Sequence, residues 1–481
     1  MFRRPHAFTY GLWLAYVLLW LVPSLGGVAA EASLGTSASG HYLRFRERPL
    51  LIAGDSGTQC VLQNGNLDFR RWIDDCAASG LNTVHVWSFV APRQKLDGSE
   101  LEARYGYVFP GLTPWARKTS GARAHDDGYQ WDLHQWDEAG YWSRFRALCA
   151  AARSRDLLLG ITVFWGWPKH GSDWIYHPFN VVNGGPITEE PRPYVTLVQQ
   201  IASPGTEVLG EAWSEAWPPA KKNQWHWERF AEKLITETAA YDNVFFVFMD
   251  EHSYSDGNGA EHFRAFFQKR GCLWTDRELR RANVDFVFDP VTHRDEGGRN
   301  PECVERFFRD PARPFMILEG GPYQGEIARV SFWTALMGGA GMVYHNDAEQ
   351  ETVHTGIMGY DPNVPGGDTG ATRRQWLGIA SRFFNTSMPD LDAMVPHNAL
   401  TGSGAFCLAQ PGMTYAVYAP PGGDGEVSID LSGAPGRFSA RFYEPATGNW
   451  QEPQTLDGGA RVTLARPSPA DWALLVTKVT N

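Results

Sequence analysis

Cysteine is scarce and scattered. The chain of 481 residues has six, at 60, 76, 149, 272, 303 and 407, and no C-x-x-C pair. That excludes zinc-ribbon and thioredoxin spacings, and the count is too low for a disulfide-held scaffold. Cys76 and Cys149 fall on the apolar faces of predicted helices, where they read as buried thiols. Basic clusters are missing after the first few residues, and 43 Lys+Arg against 54 Asp+Glu leave a net charge of −11. A nucleic-acid partner is disfavoured, because its phosphates select a basic face. Beyond the N-terminus no apolar run approaches membrane-spanning length. Internal repeats and low-complexity segments are absent as well. What remains is a globular composition, 43% hydrophobic and 13% aromatic with 20 tryptophans. Such a chain can bury cores for more than one domain. The tryptophan excess points to stacking surfaces in addition to core.

The first thirty residues have the form of an export signal. Arg3 and Arg4 precede an uncharged apolar stretch over 11–25, and Val28-Ala29-Ala30 supplies a small-residue cleavage end. Residues 1–30 are therefore expected to be removed and the protein to be secreted or periplasmic. The alternative is a retained membrane anchor, since the apolar stretch nears spanning length.

From residue 50 onward, short apolar runs alternate with amphipathic helices. The runs cover 50–54, 83–87, 157–164, 243–249, 272–275, 284–288, 314–318 and 341–344. Continuous apolar strands separated by helices indicate parallel βα units buried on both faces. Eight of them predict an α/β fold, a (β/α)₈ TIM barrel over 31–392, with long insertions at 91–135 and 166–224. Trp72, Trp142 and Trp227 lie on helix faces and are expected in the core. After residue 393 the rhythm changes to six short strands spaced by Gly and Pro turns, which predicts a small antiparallel β-sandwich over 393–481.

Catalytic groups in such barrels project from the C-terminal ends of the strands. The fourth run leads into Asp250-Glu251-His252 and the seventh into Glu319-Gly320-Gly321. A carboxylate directly after an apolar strand is costly unless a polar cavity receives it. One such Glu is more often a salt-bridged strand end, but two, at strands four and seven, suit glycosidic cleavage. There one carboxyl protonates the leaving oxygen while the other attacks the anomeric carbon or activates water.

The stretches LLIAGDS (50–56), GLNTVHVW (80–87), NVFFVFMDE (243–251), PFMILEGG (314–321), FYEPATGNW (442–450) and DWALLV (471–476) carry a resemblance. The chain resembles the large clan of retaining (β/α)₈ glycoside hydrolases. Within it, it looks most like the secreted apiosidase-like glycoside hydrolases that end in a domain described as collagen-binding. The resemblance implies Glu251 as acid/base and Glu319 as nucleophile. Two positions depart from the clan's pattern. Asp250 stands where an asparagine usually binds the sugar 2-hydroxyl, and it is a rival to Glu251 as the acid. His85 and Trp87 stand near strand two in place of a common arginine.

Further positions fit a sugar site less specifically. Asp55 can hydrogen-bond a sugar hydroxyl or cap the helix that follows. His293 follows strand six, at a position where the resemblance implies substrate contact. Trp87, Trp165, Trp167 and Trp174 sit at or beyond strand ends, where a sugar would lie; the last three, beside Tyr176 and His177, are expected to form either a stacking face for sugar rings or an apolar plug for the long insertion. Tyr323 and His345, the latter in the run His345-Asn346-Asp347, are rim candidates. His345, Asp347 and Glu349 lack the spacing of a cation site, so no metal is assigned and no cofactor is implied. The expected partner is a glycan. The reading from another class is a non-catalytic carbohydrate-binding or adhesion protein on a glycosidase-like barrel.

Overall fold

Three short antiparallel strands precede the barrel: β1 Leu34–Thr36, β2 Leu43–Phe45 and β3 Arg48–Leu50. The structure is a computed structural model and describes residues 33–57, 61–65, 67–89, 112–164, 176–186, 221–249, 257–277, 285–289, 298–309, 311–320, 325–344, 370–402, 404–423 and 425–479. Eight parallel strands then close on themselves. They are β4 Ala53–Asp55, β5 Thr83–Trp87, β8 Leu158–Phe164, β9 Val244–Met249, β10 Leu273–Arg277, β11 Phe286–Asp289, β12 Phe315–Gly320 and β13 Ala340–Tyr344, with β13 pairing back onto β4. The fold is the expected TIM barrel. Between β5 and β8 the first insertion contributes an antiparallel pair, β6 Trp115–Arg117 and β7 Trp131–Trp136.

The helices around the barrel are α1 Phe69–Ser79, α2 Ser143–Ser154, α3 Lys221–Thr238, α4 Gly257–Gln268, α5 Glu302–Phe307, α6 Glu326–Met337 and α7 Ala371–Ser387. Their ends follow local chemistry. Asp68 accepts hydrogen bonds from the backbone N–H groups of Arg70 and Arg71 at the start of α1, and Gly80 stops it in the left-handed region at φ 92°. Trp72, Trp142 and Trp227 are buried as expected, and so are the thiols of Cys76 and Cys149. Cys60 lies outside the described residues.

One strand boundary needs correcting. The apolar run 50–54 is not a single strand. Leu50 pairs with Leu43 in the N-terminal sheet, and the barrel strand starts only at Ala53. Between them, Asn385 of α7 accepts from the Leu51 N–H (2.8 Å) and donates to its carbonyl (3.0 Å). The chain turns because these bonds substitute for ladder bonds.

Inside the barrel, Ile52, Leu158, Phe245 and Met316, near the starts of their strands, pack with Leu34 and Leu43 of the N-terminal sheet. That sheet is the floor of the barrel.

Beyond α7 lies an antiparallel six-stranded sheet: β14 Val395–Pro396, β15 Phe406–Gln410, β16 Thr414–Ala419, β21 Trp472–Lys478, β18 Arg437–Tyr443 and β19 Gln454–Asp457, in that spatial order. A second antiparallel pair, β17 Glu426–Asp430 and β20 Arg461–Ala465, packs on it to make the sandwich. The two strands the sequence pattern did not suggest, β14 and β19, are the short edges. Their two and four residues are too few for alternation to register. Among the described residues no helix is long and apolar enough to cross a membrane; residues 1–32 lie outside them.

Candidate active site at the barrel mouth

The strands that end at Asp55, Trp87, Met249, Gly320 and Tyr344 define the C-terminal rim of the barrel. Asp55, at the end of β4, is fully buried. One of its carboxylate oxygens accepts from Arg374 Nη1 (2.8 Å) and the other from the Gly57 N–H (2.5 Å). A carboxylate in such a place requires a paired cation, because desolvation alone would cost several kcal/mol per ion, on the order of 5. Asp55 does not cap α1; Asp68 does. Beside it, Ser56 donates its N–H to the Tyr344 carbonyl (3.0 Å), and the Arg373 guanidinium lies 4.8 Å from the Tyr344 ring centroid. Arg373 and Arg374 both belong to the first turn of α7. The seam between the first and last barrel strands is thus fastened at the mouth by the helix that completes the fold.

One strand further on, His85 Nε2 and Thr162 Oγ1 are 2.7 Å apart, a buried hydrogen bond across β5 and β8. Gly160 makes room for this layer. A Cβ there would sit 2.6 Å from the Phe245 ring and 3.2 Å from His85 Cδ2. Trp87 stands edge-on to His85 with centroids 4.7 Å apart, and only 1% of it is exposed. Its face is therefore part of the wall and does not stand out into solvent. His85 and Thr162 mark where the barrel interior turns from apolar to polar.

β9 and β12 are separated by β10 and β11 around the barrel. β9 ends at Met249, so Asp250 and Glu251 follow at its C-terminal end. β12 extends one residue past Glu319, to Gly320. Its pairing with β13 is regular from Phe315 to Ile317. It resumes only at Gly320 opposite Tyr344, with one more residue on β12 than on β13. This β-bulge interrupts the two-residue alternation at Leu318-Glu319, the kind of irregularity that re-aims side chains next to active sites. Asp250, Glu251, Trp165, Trp167, Trp174, His293, Tyr323 and His345 lie outside the described residues, as do Asn346, Asp347 and Glu349. Of the expected site residues the structure brings Asp55 and Trp87 to the ends of neighbouring strands at the mouth, and it places the backbone of Glu319 in a bulge two strands from Asp55.

A buried aromatic wall backs the insertion side. Phe89 packs on Trp115 (5.2 Å) and on His177 (5.7 Å), Trp115 on Phe179 (5.4 Å), and Phe179 on Trp227 (4.6 Å). His177 Nδ1 accepts the Phe179 N–H at 3.0 Å. Burial depresses its pKa to about 3, so the ring stays neutral. For His177 the plug reading holds. Tyr141 extends the wall to the rim, donating its hydroxyl to the Ser88 carbonyl.

The sequence matches no family model and no curated protein. Solved structures do resemble it. A glycoside hydrolase family 5 structure from Bacteroides vulgatus ATCC 8482 shares 16% identity with a TM-score of 0.62, over 93% of this chain and 93% of its own. A second structure, of a protein described as a glycoside hydrolase, shares 15% identity with a TM-score of 0.61, over 94% and 98%. This chain shares the fold of these structures, a TIM barrel followed by an antiparallel sandwich. The likeness runs through the barrel and the tail alike, since both chains are covered almost end to end.

Arg374 and Thr162 were not visible as site residues in the sequence. Arg374 sits in the stretch Ala371-Thr372-Arg373-Arg374-Gln375, which reads as a solvated helix start, and its partner is 319 residues away. Thr162 is one polar residue in an apolar strand. The one available signal was that interruption, which falls opposite Trp87 and two residues beyond the partner of His85 on the neighbouring strand.

Proposed function

We propose that this protein is a secreted glycoside hydrolase that cleaves a poly- or oligosaccharide by a two-carboxylate, configuration-retaining mechanism, with an apiosidase-like relationship. The carrying observation is the pair of strand ends: Asp250-Glu251 directly beyond β9, and Glu319 within the β12 bulge. In this reading Glu319 attacks the anomeric carbon. Glu251 protonates the departing glycosidic oxygen and later takes a proton from the water that releases the sugar. The first step needs a protonated acid and an ionised nucleophile at once, so the two carboxyls must titrate apart. Asp250 is the second reading for the acid, favoured by its place as the first residue beyond β9. Asp55, Trp87, Trp165, Trp167, His293, Tyr323 and His345 are proposed to line the sugar site. The basic start, apolar stretch and small-residue end of residues 1–30 support export.

The test is hydrolysis of activated aryl glycosides by purified protein, with the anomer of the first-formed product read by NMR. Retention is expected. Glu251→Gln should lower turnover by about 10²–10⁴-fold, and activity left intact in it but lost in Asp250→Asn would move the acid to Asp250. An inverted first product would reject the nucleophile assigned to Glu319.

A further inference from the structure

In the six-stranded sheet of the tail, β15 and β16 are buried on both faces. Along β16, Tyr415 and Val417 join the sandwich core, while Ala416 and Tyr418 join the core of the barrel and its helices. Tyr418 stacks on Trp333 of α6, with centroids 5.3 Å apart and planes within 12°. Tyr443 of β18 donates its hydroxyl to the Ile379 carbonyl of α7 (3.1 Å). At the centre of this contact Asp471, immediately before β21, accepts from Arg329 Nε (2.9 Å) and Nη2 (2.6 Å) and from the Tyr418 hydroxyl (3.0 Å). Both charges are almost wholly buried, at 4% and 1% side-chain exposure. The outward positions of the remaining strand pair, Glu426, Ser428 and Asp430 on β17 and Arg461, Thr463 and Ala465 on β20, carry no aromatic ring. That face offers nothing on which a sugar or a proline-rich strand could stack.

We infer that the tail is an intramolecular clamp on α6 and is not a separate binding module. α6 is the helix that follows the Glu319 strand, and it starts at Glu326, six residues beyond Gly320. Arg329 lies in its first turn. The tail therefore grips the chain close to the barrel mouth, through an ion pair whose two residues are 142 positions apart. Removing Asp471 leaves the buried Arg329 charge with only the exposed Glu326 carboxylate, 3.3 Å away, to compensate it. The first turns of α6 should then open more often without the whole fold being lost.

The experiment is hydrogen exchange by mass spectrometry together with calorimetry, on the full chain and on Asp471→Asn and Tyr418→Phe. The wild type should unfold in one transition. In Asp471→Asn, peptides covering 326–337 should exchange about tenfold faster under native conditions. Tyr418→Phe keeps the stack on Trp333 and loses only one hydrogen bond, so it should move the same peptides by a smaller factor. It decides the matter if Asp471→Asn does not fold. A tail transition that precedes and leaves the barrel's untouched would overturn the inference. So would unchanged exchange in 326–337 in both variants.

Discussion

The two ends of the barrel are finished with opposite chemistry. At the floor, Leu34 and Leu43 of the N-terminal sheet close the interior against Ile52, Leu158, Phe245 and Met316 with apolar contact alone. Towards the mouth, four residues beyond Leu158 on β8, Thr162 meets His85 of β5, and at the rim lies a buried Asp55–Arg374 ion pair. The residues named at both ends are buried, so burial as such does not distinguish them. The kind of group accepted into the interior does. Apolar closure stabilises in proportion to area removed from water and needs no direction. Polar closure is only tolerable when every partner is placed, and it creates an environment in which carboxyl pKa values can be driven apart. The apolar floor suits stability, and the polar mouth is where the proposed chemistry would sit, the division of labour expected of this fold.

The sharpest way to break that contrast is to exchange one group at each end. If Glu319 is the proposed nucleophile, Glu319→Gln should cost roughly 10⁴-fold or more in kcat on an aryl glycoside with the melting temperature hardly altered, because the amide is of similar size and cannot attack. Leu43→Ala should do the reverse. It should lose about 3 kcal/mol of unfolding free energy in urea titration and keep kcat near the wild-type value. If Leu43→Ala also abolished turnover in its folded fraction, floor and mouth would not be separable.

Between these extremes lies the seam. Arg374→Met should lower stability by about 3–5 kcal/mol, since it strands the Asp55 carboxylate in a dry site. The paired substitution Asp55→Asn with Arg374→Met should recover a large part of the loss, as a double-mutant cycle in denaturant would show. Additive losses would mean that the ion pair is incidental to closing β13 onto β4.

How much of this was legible in the sequence follows from the same physics. The eight barrel strands were readable because strands buried on both faces need continuous apolar runs, and helices between them need a 3.6-residue stripe. Glu251 and Glu319 stood out in the sequence as candidates because a carboxylate ending an apolar run has few inexpensive explanations; their roles belong to the proposal. The Asp55–Arg374 pair was not, since nothing local in an arginine at a helix start says whether it faces solvent or a partner 319 residues earlier. The strand boundary at Leu50 failed for a similar reason: both a hairpin edge and a barrel strand favour Leu-Leu-Ile, and pairing with Leu43 decided between them. The sandwich alternation was visible, but not that its second face packs on α6 and α7.

The smallest effect concerns acid. His177 sits in the aromatic wall at the mouth, fully buried, with its pKa lowered from 6.5 to about 3. Its neutral form is bound by the fold. The unfolded chain takes up a proton below pH 6.5 while the folded chain does not until near pH 3. Its contribution to stability is thus complete above 6.5 and is lost as the pH falls through that window. Between pH 7 and pH 5 the loss from this one group is about 2 kcal/mol. His177→Asn keeps an acceptor for the Phe179 N–H without a titrating ring. It should flatten the decline in unfolding free energy between pH 7 and 5 even if it lowers the plateau. His41 provides the comparison at the floor. It stacks on Phe307 at 4.0 Å, and burial lowers its pKa against the opposing pull of Asp392, while the residue stays only half-buried. His41→Asn should therefore flatten the same curve less. An equal or larger change from His41 would place the main acid-sensitive contact at the floor and undo the contrast between the two ends.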